Sequence, residues 1–263
     1  MDGFKRFLKN FFPHSFLVWL KSIVLKVRFW GRKYHCPLCN SNVGLLKPLG
    51  FDFPVLQEMQ IVGGGKRNTL CPVCNSSDRI RLNYIFLKQN SDIFSQPAKL
   101  LHLAPEPALK SIFLKHKNID YITADLYQEN VMVKMDITKI QFPDHTFDAI
   151  ICNHILEHIP NDRQAMKELY RVLKPGGWAI LQVPLSKILR NTLEDPTVVS
   201  EDDRERVFGQ KDHVRIYGLD YPERLRNAGF RVTEYKWTED NNLKNPGNRL
   251  GLNKDEVVFY CQK

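Results

Sequence analysis

This sequence has no long uninterrupted apolar run, few acidic residues near its N-terminus and no glycine in one turn where glycine is usual. The most apolar stretch, residues 16–30, is interrupted by Lys21, Lys26 and Arg28, whereas a membrane-spanning helix needs about 20 predominantly apolar residues. The N-terminal segment also lacks the small-residue cleavage site of a secretory signal peptide. These two absences argue against a membrane span and against export, so we expect a cytoplasmic protein.

Acidic residues are nearly absent from the first 34 positions. There the lone Asp2 accompanies eight basic residues, which gives this segment a net charge of +7 out of +9 for the whole chain. The basic residues are Lys5, Arg6, Lys9, Lys21, Lys26, Arg28, Arg32 and Lys33. The remaining +2 is little for a surface that binds nucleic acid, so we expect nucleic acid to be a less favoured partner.

The same segment, residues 1–34, has the pattern of two amphipathic helices separated by Pro13. Its first half places aromatic and apolar side chains three and four residues apart, on one helical face, at Phe4, Phe7, Leu8, Phe11 and Phe12. A basic, aromatic-rich helix of this kind can lie in the interface of an anionic membrane. The alternatives are packing on the protein's own core or on a second subunit. We therefore expect an amphipathic arm that allows peripheral membrane binding.

Four of the six cysteines form two CPxC motifs, separated by 31 residues. The motifs are Cys36 with Cys39 and Cys71 with Cys74. A two-residue gap lets a tight turn direct both sulfurs at one point, and two such turns make a tetrahedral zinc site. The intervening VGGGKRN, residues 62–68, is predicted to be a flexible hairpin tip. We expect a closed structural zinc module at 35–80, because disulfides are rare in a reducing compartment.

From residue 98 onward, strand and helix patterns alternate. Strands are predicted at 99–104, 121–126, 133–137, 147–153, 178–184, 230–237 and 256–262, and helices at 106–116, 161–173 and 219–228. Such alternation predicts an α/β fold with a mostly parallel, doubly wound sheet, whose ligands bind beyond the carboxyl ends of the strands. Residues 81–97 are predicted to be a helix linking the zinc module to this domain, 98–263.

Residues 142–184 carry three motifs in a fixed order: FPDHTFD at 142–148, LEH at 156–158 and LKPGG at 173–177. This order resembles class I S-adenosylmethionine-dependent methyltransferases of the small-molecule type. The resemblance covers about residues 98–263 and implies a seven-stranded Rossmann-like sheet with S-adenosylmethionine as cofactor. In LKPGG, Pro175 is predicted to end a helix, and Gly176 and Gly177 to supply positive φ angles for the turn that follows.

The turn after the first strand of this domain has no glycine. Where the family has an acid-x-Gly-x-Gly pattern, this chain has residues 102–106, HLAPE. A dinucleotide needs glycines there because its pyrophosphate lies against the backbone, but S-adenosylmethionine has no phosphate. Ala104 is small enough for a close approach, and Glu106 is a candidate partner for the cofactor's ammonium group. The departure therefore argues against NAD and is compatible with S-adenosylmethionine.

Further cofactor contacts are implied by the resemblance. Asp125 ends the second strand, at the distance from the first turn where an acid can accept hydrogen bonds from both ribose hydroxyls. Asp136 corresponds to the acid that faces the adenine amino group, with Ile137 beside the ring, and Leu126 and Asn153 complete the predicted cofactor site. The alternative for both acids is that they cap turns, where Asp is common.

Two further groups of residues are predicted to face the methyl acceptor. His154 follows the fourth strand and is the first candidate for contact with the transferred methyl group, with Glu157 nearby, whereas His158 is predicted to be structural. A charged insertion at 194–220 is expected to overhang the acceptor pocket. Within it, His213 is the candidate general base because imidazole titrates near neutral pH. Arg215 and Tyr217 are candidate substrate contacts.

Three functions are compatible with these residues. The first is methyl transfer to a small molecule, a sugar hydroxyl or a lipid-linked glycan at the inner membrane face. The second is methylation of an RNA base, with the zinc module contacting RNA. The third is a scaffold that keeps the fold without binding the cofactor. The sequence leaves the acceptor, the receiving atom and the oligomeric state open.

Overall fold

The computed structural model describes residues 13–243 and 247–263. Its helices are α1 (His14–Arg28), α2 (Pro54–Glu58), α3 (Asp78–Asn90), α4 (Pro107–Phe113), α5 (Asp162–Val172), α6 (Glu201–Phe208) and α7 (Tyr221–Asn227). The first half of the predicted arm, with Phe4, Phe7, Leu8, Phe11 and Phe12, lies outside the described residues.

The strands divide between a central sheet and several short pairs. Those of the central sheet are β6 (Ala98–Leu103), β7 (Ile119–Asp125), β8 (Val133–Lys134), β9 (Phe147–Asn153), β10 (Leu173–Gln182), β14 (Arg231–Lys236) and β15 (Val257–Gln262). The others are β1 (Trp30–Cys36), β2 (Ser41–Val43), β3 (Lys47–Leu49), β4 (Ile61–Val62), β5 (Arg67–Leu70), β11 (Leu185–Ser186), β12 (Leu193–Glu194) and β13 (Arg215–Ile216).

The central sheet has the order β14-β15-β10-β9-β6-β7-β8. Only β15 runs antiparallel to its neighbours within this sheet. The chain leaves β6 toward β7 and β8, then returns to β9 on the other side of β6, so the topological switch point lies between β6 and β9. All seven predicted strands are confirmed, and with them the seven-stranded, mostly parallel Rossmann-like fold.

Helices cover both faces of this sheet. On one face, α5 and α7 bury Met166, Leu169 and Leu225 against the sheet. On the other, α3 and α4 bury Leu82, Phe86 and other apolar residues. The predicted linking helix therefore begins at Asp78 and forms part of the packed layer on the sheet, because its apolar side chains face β15 rather than solvent.

The cysteine module is joined to the sheet by buried hydrogen bonds. Arg81 at the start of α3 is 1% exposed, and its guanidinium donates to the carbonyls of Thr69, Ser76, Leu250 and Gly251. The short strand β4 also pairs with β11, which follows β10. The module is thus built onto the edge of the sheet at which the parallel strands end.

Three local predictions need correction. Residues 30–36 form β1, which pairs with β2, so the helical part of the arm ends at Arg28. The glycine-rich residues 63–65 are not a hairpin tip, because the flanking β4 and β5 pair with β11 and β3; the Arg67 guanidinium donates to the carbonyls of Gly63 and Gly64.

In LKPGG, α5 ends at Val172, before the proline, and Pro175 lies within β10. Only Gly176 has a positive φ, 77°. Gly177 serves a different purpose, because a Cβ there would lie 2.9 Å from the carbonyl oxygens of Asp148 and Lys174. The first glycine therefore makes the turn, and the second allows close packing of the backbone.

The second predicted helix of the arm is present as α1 and exposes an apolar stripe. Trp19 is 57% exposed, Val24 55% and Val27 73%. Phe16, Leu20 and Ile23 lie on the same stripe, and Lys26 and Arg28 occupy the last turn. Among the described residues, no helix combines the length and the apolar character needed to cross a membrane.

Candidate active site

The turns after β6 and β9 lie side by side at the switch point, and both contain an unusual backbone conformation. Ala104 has a φ of 42° and His154 a φ of 53°, although neither is glycine. A left-handed residue with a Cβ costs roughly 1–2 kcal/mol, and such strain clusters at ligand sites. Ala104, in the turn after β6, thus has the positive φ typical of glycine, at the position where the acid-x-Gly-x-Gly pattern has its first glycine.

Glu106 joins these two turns. Its Oε2 lies 2.8 Å from His102 Nε2, and its Oε1 accepts a hydrogen bond of 3.0 Å from the Asn153 amide. Burial opposes ionisation, but the hydrogen bond from His102 and the charges of His102 and Arg79 outweigh it and lower the pKa of Glu106. An ionised carboxylate has about four lone-pair sites, so Glu106 keeps acceptor capacity for an ammonium group.

The two predicted nucleoside acids lie where the sequence placed them, at the carboxyl edge. Asp125 Oδ1 accepts hydrogen bonds from the backbone of Tyr127 and Gln128, and Asp136 Oδ1 accepts from the backbone and hydroxyl of Thr138. Both acids therefore cap turns with one oxygen, which is the alternative role that the sequence left open. The second oxygen of each carboxylate is not needed for the cap.

The hydrophobic neighbours of these acids differ in exposure. Leu126 is 46% exposed, next to Asp125 at the carboxyl edge of the sheet. Ile137 is 5% exposed and packs into the core under α5, so it lies below the surface on which a ring would rest.

Arg79 is a site residue that the sequence analysis did not identify. It follows the second CPxC motif, in the first turn of α3, and its guanidinium contacts His154 Nε2. Its Nε is buried and has no hydrogen-bond partner within the described residues. No sequence signal distinguishes Arg79 from Arg81 two positions later, because only the packing of the module on the sheet brings Arg79 to the switch point.

A pocket of about 280 Å³ opens beside His154. Its lining comes from the segment 49–65, the turn after β9 and the insertion after β10, together with Arg79 and Pro184. The insertion borders this pocket through Phe208, Gly209, Gln210, His213, Arg215 and Ile216. Gly63 also approaches closely, since a Cβ there would lie 3.4 Å from the His154 ring.

A chain of polar groups runs from Arg79 through His154 to Glu157. Burial and the charge of Arg79 lower the pKa of His154 to about 4, so this imidazole is neutral at neutral pH. Because Arg79 donates to Nε2, the ring proton lies on Nδ1, which faces Glu157 Oε1 at 3.3 Å. Glu157 is 1% exposed; burial raises its pKa, but the nearby imidazoles of His154, His158 and His213 outweigh burial and lower its pKa to about 2.

The predicted acceptor residues separate into two groups. Glu157 and His213 line the pocket, and so does His158, which was predicted to be structural. The His158 and His213 rings meet edge to face with centroids 4.7 Å apart. The His158 ring also contacts the insertion, since its Nδ1 lies 3.1 Å from a carboxylate oxygen of Asp212.

Arg215 and Tyr217 are used mainly inside the protein. Arg215 reaches the pocket wall, but its guanidinium donates to the carbonyls of Leu156, Ile159 and Pro160. Tyr217 is fully buried, does not line the pocket, and donates to Asp162 at 2.7 Å. The structure thus gives both side chains a role in holding the turn after β9 rather than in contacting an acceptor.

The four CPxC cysteines come together as predicted. Cys36 Sγ lies 3.6 Å from Cys74 Sγ, Cys39 Sγ lies 3.7 Å from Cys71 Sγ, and all four sulfurs are within 4.8 Å of one another. Four sulfurs at about 2.3 Å from one zinc ion would be about 3.8 Å apart in a tetrahedron. The donor set and its spacing therefore fit a closed zinc site.

Comparison with known proteins identifies the central segment. Residues 103–181 match the family described as "Methyltransferase domain". This part of the chain is similar to methyltransferase domains. The match ends before the insertion and begins after the cysteine module, so Arg79, His213 and the four cysteines lie outside it.

Curated relatives match over short segments. A demethylmenaquinone methyltransferase of Streptomyces avermitilis is 29% identical over 114 residues, 38% of this chain and 49% of the relative. A sterol 4-C-methyltransferase of Caenorhabditis elegans is 48% identical over 46 residues, 18% of this chain and 14% of the relative. The chain thus spans about half or less of the length of these relatives.

Among solved structures, the 1,6-didemethyltoxoflavin N1-methyltransferase of Burkholderia thailandensis is similar, with a TM-score of 0.49 and 16% identity. The similarity covers 71% of this chain and 78% of that one.

Proposed function

We propose that this protein transfers a methyl group from S-adenosylmethionine to a small acceptor in the pocket beside His154. The observation that carries the proposal is the pair of left-handed turns at the switch point of a seven-stranded sheet, one of which, at His154, lines that pocket. The match of residues 103–181 to methyltransferase domains supports the same reading.

The residues at the sheet edge fit the two ends of this cofactor. Asp125 would accept hydrogen bonds from the ribose, and Asp136 would face the adenine amino group. Glu106 would bind the ammonium group. Arg79 would bind the carboxylate, because its buried Nε lacks a partner within the described chain and its charge already acts on Glu106. When bound, the cofactor supplies the electrophilic methyl group.

The protein's own contribution to transfer would be positioning and proton removal. His154, at the sharp turn after β9, is placed to contact the methyl group or the acceptor. Burial lowers the pKa of His213, so the imidazole is neutral at neutral pH and can accept a proton from a hydroxyl acceptor. Glu157 remains ionised and is therefore a weak base, suited to orienting neighbouring groups rather than removing the proton.

The acceptor proposed here is a small molecule with an apolar part. Leu49, Phe51, Leu56, Ile61 and Ile216 line one side of the pocket. Relatives over the matched segment are named for menaquinone and sterol substrates, and a lipid-linked glycan would fit the same combination of apolar wall and polar turn. The exposed stripe of α1 with its basic last turn would bring the pocket to an anionic membrane surface.

The cysteine module is proposed to hold a structural zinc ion through Cys36, Cys39, Cys71 and Cys74. Zinc there would fix the turn at 71–74, which leads directly into Arg79 and α3. The module would thus maintain one wall of the site rather than take part in the chemistry.

The test is a search for a methylated product. The full chain is incubated with methyl-labelled S-adenosylmethionine and, separately, with a small-molecule extract, a lipid extract and total RNA. The proposal predicts a product in the small-molecule or lipid arm that gains one methyl mass and that is lost in Asp125→Ala. Label confined to RNA would favour the base methyltransferase, and absence of cofactor binding would favour the scaffold.

A further inference from the structure

Three side chains in the acceptor pocket converge in a way that methyl transfer does not require. Glu157, His158 and His213 each offer one ligand atom, and these atoms all lie within 4.8 Å of one another. Around one zinc-class ion at 2.0–2.2 Å, ligand atoms are roughly 3–3.5 Å apart, so small side-chain rotations would close the set. Two imidazoles and one carboxylate are a common ligand set for divalent transition metals.

The carboxylate is the most informative of the three. Glu157 is 1% exposed, and its Oε2 accepts no hydrogen bond from any described residue. Its Oε1 faces only the Nδ1 of His154, at 3.3 Å. A buried carboxylate with an unpartnered oxygen is costly unless a cation or donor completes it. Since Glu157 lines the pocket, the missing partner would be a ligand within that pocket.

The two histidines already have the outer contacts that metal-binding histidines use. His158 Nδ1 lies 3.1 Å from a carboxylate oxygen of Asp212. The His213 ring lies close to the backbone of Phe208. Such contacts from one ring nitrogen fix the ring and leave the other nitrogen for the ion. Both outer partners belong to the insertion after β10, so this segment completes the set.

We propose that Glu157, His158 and His213 bind a divalent transition-metal ion of the zinc class. With three protein ligands the ion keeps open positions toward the pocket, unlike the closed set of four cysteines. The site consists of nitrogen and oxygen donors and is separate from the sulfur site. Binding of the ion does not depend on methyl transfer. A bound ion would, however, occupy the lone pair that His213 needs in order to act as a base. His213 can therefore serve as a metal ligand or as a general base, but not as both at once.

Cobalt distinguishes the two sites by their spectra. The full chain is purified with zinc, freed of loosely held metal and titrated with Co²⁺ alone, while bound metal is counted by elemental analysis. We expect one additional Co²⁺ per chain that shows d–d absorption without thiolate-to-cobalt charge transfer. Glu157→Gln and His213→Gln should weaken this binding about tenfold or more. His145→Gln, which changes an exposed histidine far from the pocket, should leave it unchanged.

Folding is checked on each variant by thermal unfolding and by the zinc content of the cysteine site. If the buried Glu157 variant does not fold, His158→Gln, at a partly exposed position, tests the same site. The proposal is overturned if folded protein takes up no Co²⁺ beyond the cysteine site. It is equally overturned if the extra Co²⁺ binds as well to the Gln variants. Neither result would bear on cofactor binding, which is measured separately.

Discussion

At the scale of single residues, Ala104 carries the most specific information about the site. A left-handed backbone is favoured at glycine and costs a residue with a Cβ roughly 1–2 kcal/mol. This chain nevertheless holds a φ of 42° there. The surrounding turn, in which Ala104 donates its N–H to the carbonyl of Ala124, therefore determines the conformation.

This conformation predicts opposite effects for two alanines. Ala104→Gly should raise the free energy of unfolding by up to about 1 kcal/mol, because glycine removes the steric cost. Ala108→Gly, a matched change inside α4, should lower it by roughly 1 kcal/mol, because glycine is unfavourable in a helix. Urea unfolding of both variants measures the difference. Equal losses at the two positions would show that Ala104 is not held in a left-handed turn.

Glu256, immediately before β15, predicts a pH-dependent stability. Burial raises the pKa of this carboxyl from 4.5 to about 7, with Asp78 adding to the rise and Arg79 and Arg67 opposing it. The folded state therefore holds a proton that the unfolded chain releases above its ordinary pKa. Stability from this group is complete below about pH 4.5, falls as the pH rises to about 7, and stays reduced above that value.

Glu256→Gln should remove this loss of stability at high pH, because glutamine does not ionise. The variant should exceed the wild type in free energy of unfolding by on the order of 1–3 kcal/mol at pH 8 and match it near pH 4.5. Denaturant titrations at the two pH values give the comparison, with Glu239→Gln, at an exposed position, as the control. A variant less stable than the wild type at pH 8 would mean that the ionised carboxylate is stabilised by a partner.

At the scale of elements, the sequence predicted the sheet much better than the site. The seven strands could be predicted because apolar runs alternate with turn residues along the sequence. These runs are apolar because the strands are buried in the sheet, as in β9 and in most of β10. The switch point, and with it His154 and Glu106, follows from strand order. Arg79 could not be predicted, because it reaches the site from α3 through contacts distant in sequence.

The roles of the insertion residues were predicted only in part. His213 lies in the pocket as expected, but Arg215 and Tyr217, two and four positions later, point into the interior and hold the turn after β9. Within a segment of short strands, neither charge nor spacing indicates which side chain faces the pocket. That orientation follows from the pairing of β12 with β13 and from the bridge between Leu185 and Tyr217.

The cysteine module should be coupled to the pocket. Cys39→Ser should lose one zinc ion per chain and reduce stability by on the order of several kcal/mol, because metal binding contributes directly to folding. It should also weaken S-adenosylmethionine binding, since Arg79 follows the second CPxC motif. Cys152→Ala, which changes a buried cysteine of β9, should keep the zinc. Elemental analysis and calorimetry measure both effects, and unchanged zinc content in Cys39→Ser would contradict the assignment.

The stripe on α1 predicts membrane binding through this helix. A double change, Trp19→Glu with Val27→Glu, should reduce co-sedimentation with phosphatidylglycerol vesicles about tenfold or more, because it removes apolar burial and adds charge repulsion. Tyr127→Glu, at an exposed aromatic residue beside the proposed nucleoside site, serves as the control. Equal sedimentation of the wild type and the double variant would argue for packing of α1 on a protein surface.

At the scale of the whole molecule, three segments that are separate in sequence build one site. The sheet supplies Asp125, Asp136 and the two left-handed turns, the cysteine module supplies Arg79, and the insertion supplies His213. The α1 stripe and most of the net positive charge lie before the cysteine module. The molecule thus combines a cofactor edge, a lined pocket and an apolar surface, as expected for a methyltransferase whose acceptor has an apolar part.

The most direct test of the central claim is calorimetric titration of the full chain with S-adenosylmethionine. We predict saturable binding of one cofactor per chain that Asp125→Ala weakens roughly ten- to hundredfold, as loss of hydrogen bonds to a charged group would. Asp120→Ala, on an exposed position of the same strand, should bind like the wild type. No binding by the wild type, or equal binding by the wild type and Asp125→Ala, would contradict the account.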